Sequence, residues 1–345
     1  MNQGYRNQIR EDVILLNDYK DLYFEQKIKP NHLLIGNGFS ISVWDKFSYN
    51  SLYENVEYEM DDIDRKLFKS FNTSNFEHIM EHLLNAIKIN KKFNIDTTQL
   101  QDSYERIKSS LISSIISVHP DYENLYLQTN VKQNYCFRVF TDSVFTTNYD
   151  LIPYWLINEL LSKQRRNVTD FFTRRPKGYL YFNPNKNLDG LKLFYLHGAL
   201  HFYINHLGDV VKVENRHDYL IQSVVESIKK DRAPLYVSEG SYEGKLRQIE
   251  NNHYLSFCYD SLKEIDGDLT IFGLDLSTDN DKHIIEAINA SGIENIAYGI
   301  FDKSRQESIK ESINDKFRDK TILFFNSGTF YDNVMHINSD IVLNT

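Results

Sequence analysis

Short apolar runs bounded by turn residues recur along the chain. Because they are apolar throughout rather than alternating, they predict strands buried on both faces. Several end in Gly, Asn, Ser or Asp and pass into segments with helical spacing, which predicts an α/β fold with a doubly wound, Rossmann-like parallel sheet. The runs are Leu33–Ile35, Ser143–Thr147, Leu193–Leu196, Leu235–Val237, Leu269–Phe272, Ile296–Ile300 and Ile322–Phe325.

A different pattern separates the first two runs. Apolar residues from Phe76 to Ile87 follow helical spacing, and Ser74 with Glu77 has the spacing of a capping box. We therefore predict a mostly helical insertion over residues 50–140, within one domain that spans 1–345. The segment Gln164–Gly190 carries several arginines, and we expect it to be an exposed excursion between strands.

Composition narrows the possible functions. The chain has 345 residues, a net charge of −9 and no long basic patch, so we expect no direct nucleic-acid binding. Cys136 and Cys258 lie far apart in the sequence, which predicts no metal site. No stretch reaches the ~18 apolar residues that a membrane span needs, and the first residues lack a signal-peptide core. We expect a cytoplasmic protein without membrane contact.

A glycine turn follows the first predicted strand. Gly36-Asn37-Gly38-Phe39-Ser40 would allow the backbone to approach a diphosphate closely and turn its N–H groups toward the phosphates. The third glycine of the dinucleotide fingerprint is missing, so a plain strand-to-helix turn explains the segment equally well.

Polar residues also end two later strands. Thr147 ends the second run and Asn148 and Asp150 follow it, where an open parallel sheet binds ligands, although helix capping would account for these residues too. His197 ends the third run, and we expect Gly198 to leave open space beside it. A histidine near an apolar run is usually a core residue, but a position at a strand end favours a general base.

Together and in this order, these segments resemble the sirtuin superfamily, and specifically its bacterial branch in phage-defence proteins. The glycine turn is similar to the sirtuin Gly-Ala-Gly-x-Ser loop, Thr147–Asp150 to Gln-Asn-x-Asp, and Leu196-His197-Gly198 to the catalytic Leu-His-Gly. Weaker similarities lie at Asp45 and Phe47, at Pro234–Glu239, at Gly273–Ser277 and at Asn326.

The resemblance implies an NAD site and a role for each matching residue. Asn148 would orient the nicotinamide ribose or the attacking water, and His197 would be the general base. The residues expected to contact NAD are Gly36, Asn37, Gly38, Ser40, Thr147, Asp150, Ser238, Glu239, Gly273, Ser277, Asp281 and Asn326. The four-cysteine zinc module of the sirtuin deacylases is absent, so water rather than an acyl-lysine becomes the expected acceptor, with no metal involved.

The expected function is therefore an NAD glycohydrolase that releases nicotinamide and ADP-ribose as an effector of antiphage defence. A non-catalytic NAD or ADP-ribose sensor, regulating a defence complex, is the alternative from another class. A protein ADP-ribosyltransferase or deacylase is a third, which the missing zinc module disfavours. The resemblance also implies a homo-oligomer and a HerA-type ATPase partner.

Overall fold

A computed structural model gives the architecture of the chain. It describes residues 16–128, 133, 135–163, 167–174, 180–186, 189–213, 219–230, 232–237, 242–276 and 280–344. The strands are β1 (His32–Ile35), β2 (Ser143–Thr146), β3 (Val168–Thr169), β4 (Phe172–Arg174), β5 (Leu180–Phe182), β6 (Leu191–Tyr195), β7 (Gly198–Ile204), β8 (Val210–Lys212), β9 (Pro234–Tyr236), β10 (Asp266–Phe272), β11 (Gly292–Ile300) and β12 (Thr321–Asn326).

Helices connect and flank these strands. The α-helices are α1 (Tyr19–Phe24), α2 (Asn37–Val43), α3 (Tyr49–Val56), α4 (Asp62–Ser70), α5 (Phe76–Lys92), α6 (Thr98–Val118), α7 (Tyr122–Gln128), α8 (Ile152–Lys163), α9 (Leu220–Ile228), α10 (Tyr242–Glu250), α11 (His253–Lys263), α12 (Lys282–Ala290), α13 (Gln306–Lys316) and α14 (Phe330–Asn344). Short 3-10 turns lie at Asp45–Phe47, Cys136–Arg138, Lys303–Arg305 and Ser327–Thr329.

The central sheet has seven strands in the order β12-β11-β10-β1-β2-β6-β3, and every neighbouring pair is parallel. The prediction of an α/β fold with a parallel sheet is therefore confirmed, and six of the seven predicted runs lie in this sheet. From β1 the chain moves outward through β2 on one side, while β10 returns on the other. This reversal opens a crevice at the carboxyl ends of β1 and β10, where sheets of this type bind ligands.

A second sheet is antiparallel and has the order β4-β5-β8-β7-β9. The seventh predicted run, Leu235–Val237, falls on β9, so its assignment to the parallel sheet was wrong. A turn at Leu196 and His197 directly after β6 takes the chain out of the parallel sheet. The strand that follows, β7, belongs to the second sheet and pairs antiparallel with β9.

The segment Gln164–Gly190 is not an exposed excursion. Its described residues form β3, β4 and β5, and Phe171 and Phe172 are buried. Lys212 pairs with the buried Asp170 and so compensates its charge. Strands of two or three residues give too short an apolar pattern to stand out from the arginines around them.

Residues 49–128 form five helices, α3 to α7. Helix α6 packs against both α3 and α5, burying Ile79, Leu83 and Ile107. The predicted capping box at Ser74 was wrong, because Asn75 is the cap and its side chain accepts hydrogen bonds from the backbone of Glu77 and His78. The Glu77 side chain therefore takes no part in the cap and is available for other contacts.

Gly198, expected to leave open space beside His197, is tightly enclosed instead. It has a φ of +80°, and a Cβ added there would lie 2.1 Å from the carbonyl oxygen of Leu235. The contact joins β7 to β9, so the glycine serves the close packing of the second sheet.

We predict that Gly198→Ala lowers the free energy of unfolding by about 1–3 kcal/mol more than Gly208→Ala, because both glycines have positive φ but Gly198 alone of the two adds a backbone collision. Gly208 is a matched control, since its φ is +85° and nothing lies within 4 Å of a Cβ added there. Urea denaturation of the two variants measures the difference. Equal losses would show that the contact with Leu235 is not tight.

Candidate functional site

A cavity of about 500 Å³ opens at the carboxyl ends of the central strands. The loops after β1, β2, β6 and β10 form one side, and these four strands are neighbours in the sheet. The other side comes from the helical segment, through residues of α3, α5 and α6. The residues that the sequence predicted and that line the cavity are Asn37, Gly38, Thr147, Asn148, Asp150, His197, Gly273 and Asp281.

A buried hydrogen-bonded relay fixes one polar edge of the cavity. The Ser40 hydroxyl donates to Asp150 Oδ2 at 2.7 Å, and Asn148 Nδ2 donates to Ser40 Oγ at 2.7 Å. Because the Ser40 hydroxyl donates its one proton to the carboxylate, its oxygen can only accept a hydrogen bond from Asn148. The amide of Asn148 is therefore held with its nitrogen toward Ser40.

This orientation leaves Asn148 Oδ1 as an acceptor without a hydrogen-bond partner among the described residues. The Asn148 side chain is 4% exposed and lines the cavity. A buried polar atom without a partner costs about 1–3 kcal/mol, so such an atom indicates a place where a ligand or water binds. A hydroxyl or N–H group of a ligand would satisfy it.

His197 lines the cavity and contacts a second buried histidine, His283, behind it. His197 Nε2 lies 2.8 Å from His283 Nε2, a contact in which one ring donates and the other accepts. Burial, followed by the positive charge of Lys245, lowers the pKa of His197 well below its usual value. Burial also lowers the pKa of His283, with smaller effects from His197 and Lys245. Both rings are therefore neutral at pH 7.

A second polar cluster joins Glu77 of α5, Lys245 of α10 and Tyr149, which follows β2. Lys245 Nζ lies 3.1 Å from Glu77 Oε2, and the Tyr149 hydroxyl lies 3.0 Å from Glu77 Oε1. Lys245 is 1% exposed. Burial alone would lower its pKa, but the attraction of Glu77 and Asp281 outweighs that effect and raises it. Lys245 is therefore a buried cation already matched with a carboxylate.

The glycine turn brings two backbone segments into direct contact. The Gly38 N–H donates to the Gly273 carbonyl oxygen at 2.8 Å, and the Gly36 N–H donates to that of Phe272 at 3.1 Å. A Cβ on Gly38 would lie 2.7 Å from the Gly273 Cα. The close contact with Gly273 is sufficient to explain why positions 36 and 38 are glycines. The role of the turn in binding a diphosphate stays a prediction.

The remaining predicted residues lie outside the cavity lining. Ser40 lies beneath it in the relay, and Gly36 caps α2. Asn326 accepts a hydrogen bond from the Gly328 N–H and caps the 3-10 turn after β12. The predictions for Ser238, Glu239 and Ser277 fall outside the described residues.

Sequence reasoning missed Glu77, Lys245 and His283. Glu77 was interpreted as part of a helix cap, and His283 lies at the start of α12 with no strand end to mark it. The pairs that these residues form are far apart in sequence: 86 residues separate His197 from His283, and 168 separate Glu77 from Lys245. No local pattern identifies such partners.

Two further observations concern metals and membranes. Within the described ranges, His, Cys, Asp and Glu form no group of three or more that could hold a metal ion. The absence of a metal nevertheless stays a prediction. Nor does any helix of the described part have the length and apolar character needed to cross a bilayer.

The chain is an α/β protein whose parallel sheet is compatible with a Rossmann-like fold. It has a cavity of a size suited to a small ligand at the strand ends. The family model described as "Domain of unknown function (DUF4917)" matches residues 33–332, so the chain belongs to the DUF4917 family. A comparison with curated proteins gave no match.

We predict a stability change with pH that comes from Asp150. Burial raises the pKa of its carboxyl from 3.8 to about 6, although hydrogen bonds from Ser40 and Ile152 oppose this. Between these two values the folded state binds more protons than the unfolded state, so the contribution of Asp150 is lost as pH rises through the window. As pH rises across that window, the free energy of unfolding measured with urea should fall by about 1–3 kcal/mol more in the parent than in Asp150→Asn.

The exposed carboxylate of Asp260 on α11 provides a control for this measurement. Asp260→Asn should retain the pH slope of the parent. Parallel pH profiles for the parent and Asp150→Asn would contradict the assignment of the titration to Asp150.

Proposed function

We propose that the chain is an NAD glycohydrolase that splits the nicotinamide–ribose bond. Water replaces nicotinamide at the anomeric carbon, and the products are nicotinamide, ADP-ribose and a proton. The observation that carries the proposal is the fixed, unpartnered Asn148 Oδ1 in the same cavity as the neutral His197.

The chemistry matches what these two groups offer. Nicotinamide leaves NAD as a neutral molecule, so its departure needs no general acid. The sugar becomes cationic as the bond breaks, and the main tasks are to position the ribose and to deliver water. Asn148 Oδ1 would accept a hydrogen bond from a ribose hydroxyl or from the attacking water.

His197 would accept the proton. A neutral imidazole is the form that serves as a base, and the low pKa of His197 keeps it in that form. Water adding to a carbocation loses its proton readily, so a weak base is sufficient. In this role the His197 Nε2–H donates to His283 Nε2, and His197 Nδ1 accepts the proton; His283 would thereby fix the tautomer of His197.

The biological setting belongs to the same proposal. It is antiphage defence, with a homo-oligomer and a HerA-type ATPase as partners, and it rests on the sirtuin resemblance. These partners stay predictions, as does a cytoplasmic location.

We expect His197→Ala and Asn148→Ala each to reduce NAD hydrolysis by ~10²-fold or more, because each removes a positioning or proton-accepting group. The measurement is chromatographic quantification of nicotinamide and ADP-ribose after incubation of NAD with purified protein. Thermal unfolding should show that both variants remain folded. The control is His206→Ala, in the exposed turn between β7 and β8, which should keep the parent rate.

Nicotinamide release at the parent rate from both cavity variants would contradict the assigned roles. If the parent binds NAD but releases no nicotinamide, alone or with its ATPase partner, the result favours the sensor instead.

A further inference from the structure

The charges lining the cavity are mostly negative. The described lining contains four acidic residues and one lysine, Lys245. The ammonium group of Lys245 already lies 3.1 Å from Glu77 Oε2. The carboxylates are those of Glu77, Asp150, Asp275 and Asp281. The described lining thus offers no unmatched cation to a phosphate.

The backbone does not replace the missing cation at the glycine turn. The Gly38 N–H donates to the Gly273 carbonyl, and the Phe39 N–H donates to that of Gly36 at 2.9 Å. Two of the amides that would have faced a phosphate are therefore occupied within the protein. At this turn a phosphate would therefore meet no unmatched basic side chain of the described lining and fewer open N–H groups than a phosphate-binding turn usually offers.

The same lining suits a flat cation that carries hydroxyl groups. Phe47, Tyr49 and Tyr149 supply aromatic surface, and carboxylates lie around it. A positively charged ring gains from both, through cation–π and Coulomb attraction. The buried acceptor Asn148 Oδ1 has no partner among the described residues, and a ribose hydroxyl or a carboxamide N–H would supply the missing donor.

We infer that the cavity recognises an N-ribosyl pyridinium through its positive charge and its hydrogen-bond donors, without a contribution from phosphate. This inference rests on the proposed function and extends its substrate class to the phosphate-free nucleoside, nicotinamide riboside. Water replaces nicotinamide at the anomeric carbon of this substrate as well, and ribose and a proton are released with nicotinamide. The 5′-phosphate of nicotinamide mononucleotide is repelled by the carboxylates, because it places negative charge beside them.

The test compares nicotinamide release from nicotinamide riboside and from nicotinamide mononucleotide, with NAD in parallel. At low ionic strength kcat/KM should be ~10-fold or more higher for the riboside, since like charges repel across the short distance from C1′ to the phosphate. Added salt screens both attraction and repulsion, so the preference should narrow as ionic strength rises.

A pair of matched variants locates the effect. Asp275 is exposed at the cavity edge and has no part in the proposed chemistry. Asp275→Asn should therefore narrow the preference for the riboside and leave the protein folded. Asp260→Asn removes the same charge from α11, outside this cavity, and should leave the preference unchanged.

The outcomes separate this inference from the proposed function. If NAD and the mononucleotide are cleaved but the riboside is cleaved no faster than the mononucleotide, the inference fails and the glycohydrolase stands. If none of the three releases nicotinamide, the glycohydrolase fails, and calorimetry then decides the inference. Riboside binding tighter than mononucleotide binding would support charge-based recognition, and absent or weaker riboside binding would overturn it.

Discussion

The crossing of two loops at Gly38 and Gly273 is the contact on which the cavity depends. The Gly38 N–H meets the Gly273 carbonyl at 2.8 Å, so the chain after β1 is tied to the chain after β10. This tie sets the start of α2, and α2 carries Ser40. Ser40 in turn orients the Asn148 amide. The contact between the glycines thus positions the helix whose Ser40 leaves Asn148 Oδ1 as the unpartnered atom of the amide.

The electrostatics of the cavity follow from burial combined with pairing. Lys245 retains its charge inside the protein because Glu77 compensates it, whereas burial keeps His197 and His283 neutral and lets them share one hydrogen bond. A buried carboxyl at Asp150 completes the arrangement with a raised pKa of about 6. The result is a site with a neutral imidazole, a fixed acceptor and more carboxylates than ammonium groups among the described lining residues. A lining of this charge favours a cationic ligand over an anionic one.

Much of the central sheet could be predicted from sequence because most of its strands contain a continuous apolar run, which is fully buried in β1 and at the end of β10. The short strands β3 to β5 could not, since two or three residues carry no periodic signal and their neighbours are basic. At the cavity, Asn148 and His197 were found because strand ends mark them. Glu77, Lys245 and His283 were missed because helices carry them and their partners come from distant parts of the chain.

The most direct test is a crystal structure of His197→Ala with NAD, in which slow turnover preserves the bound dinucleotide. The account predicts the pyridinium ring inside the cavity and a ribose hydroxyl within ~3.2 Å of Asn148 Oδ1, with Asn148 Nδ2 still donating to Ser40. NAD bound elsewhere with this cavity empty, or an Asn148 amide turned to present its nitrogen to the ligand, would contradict it.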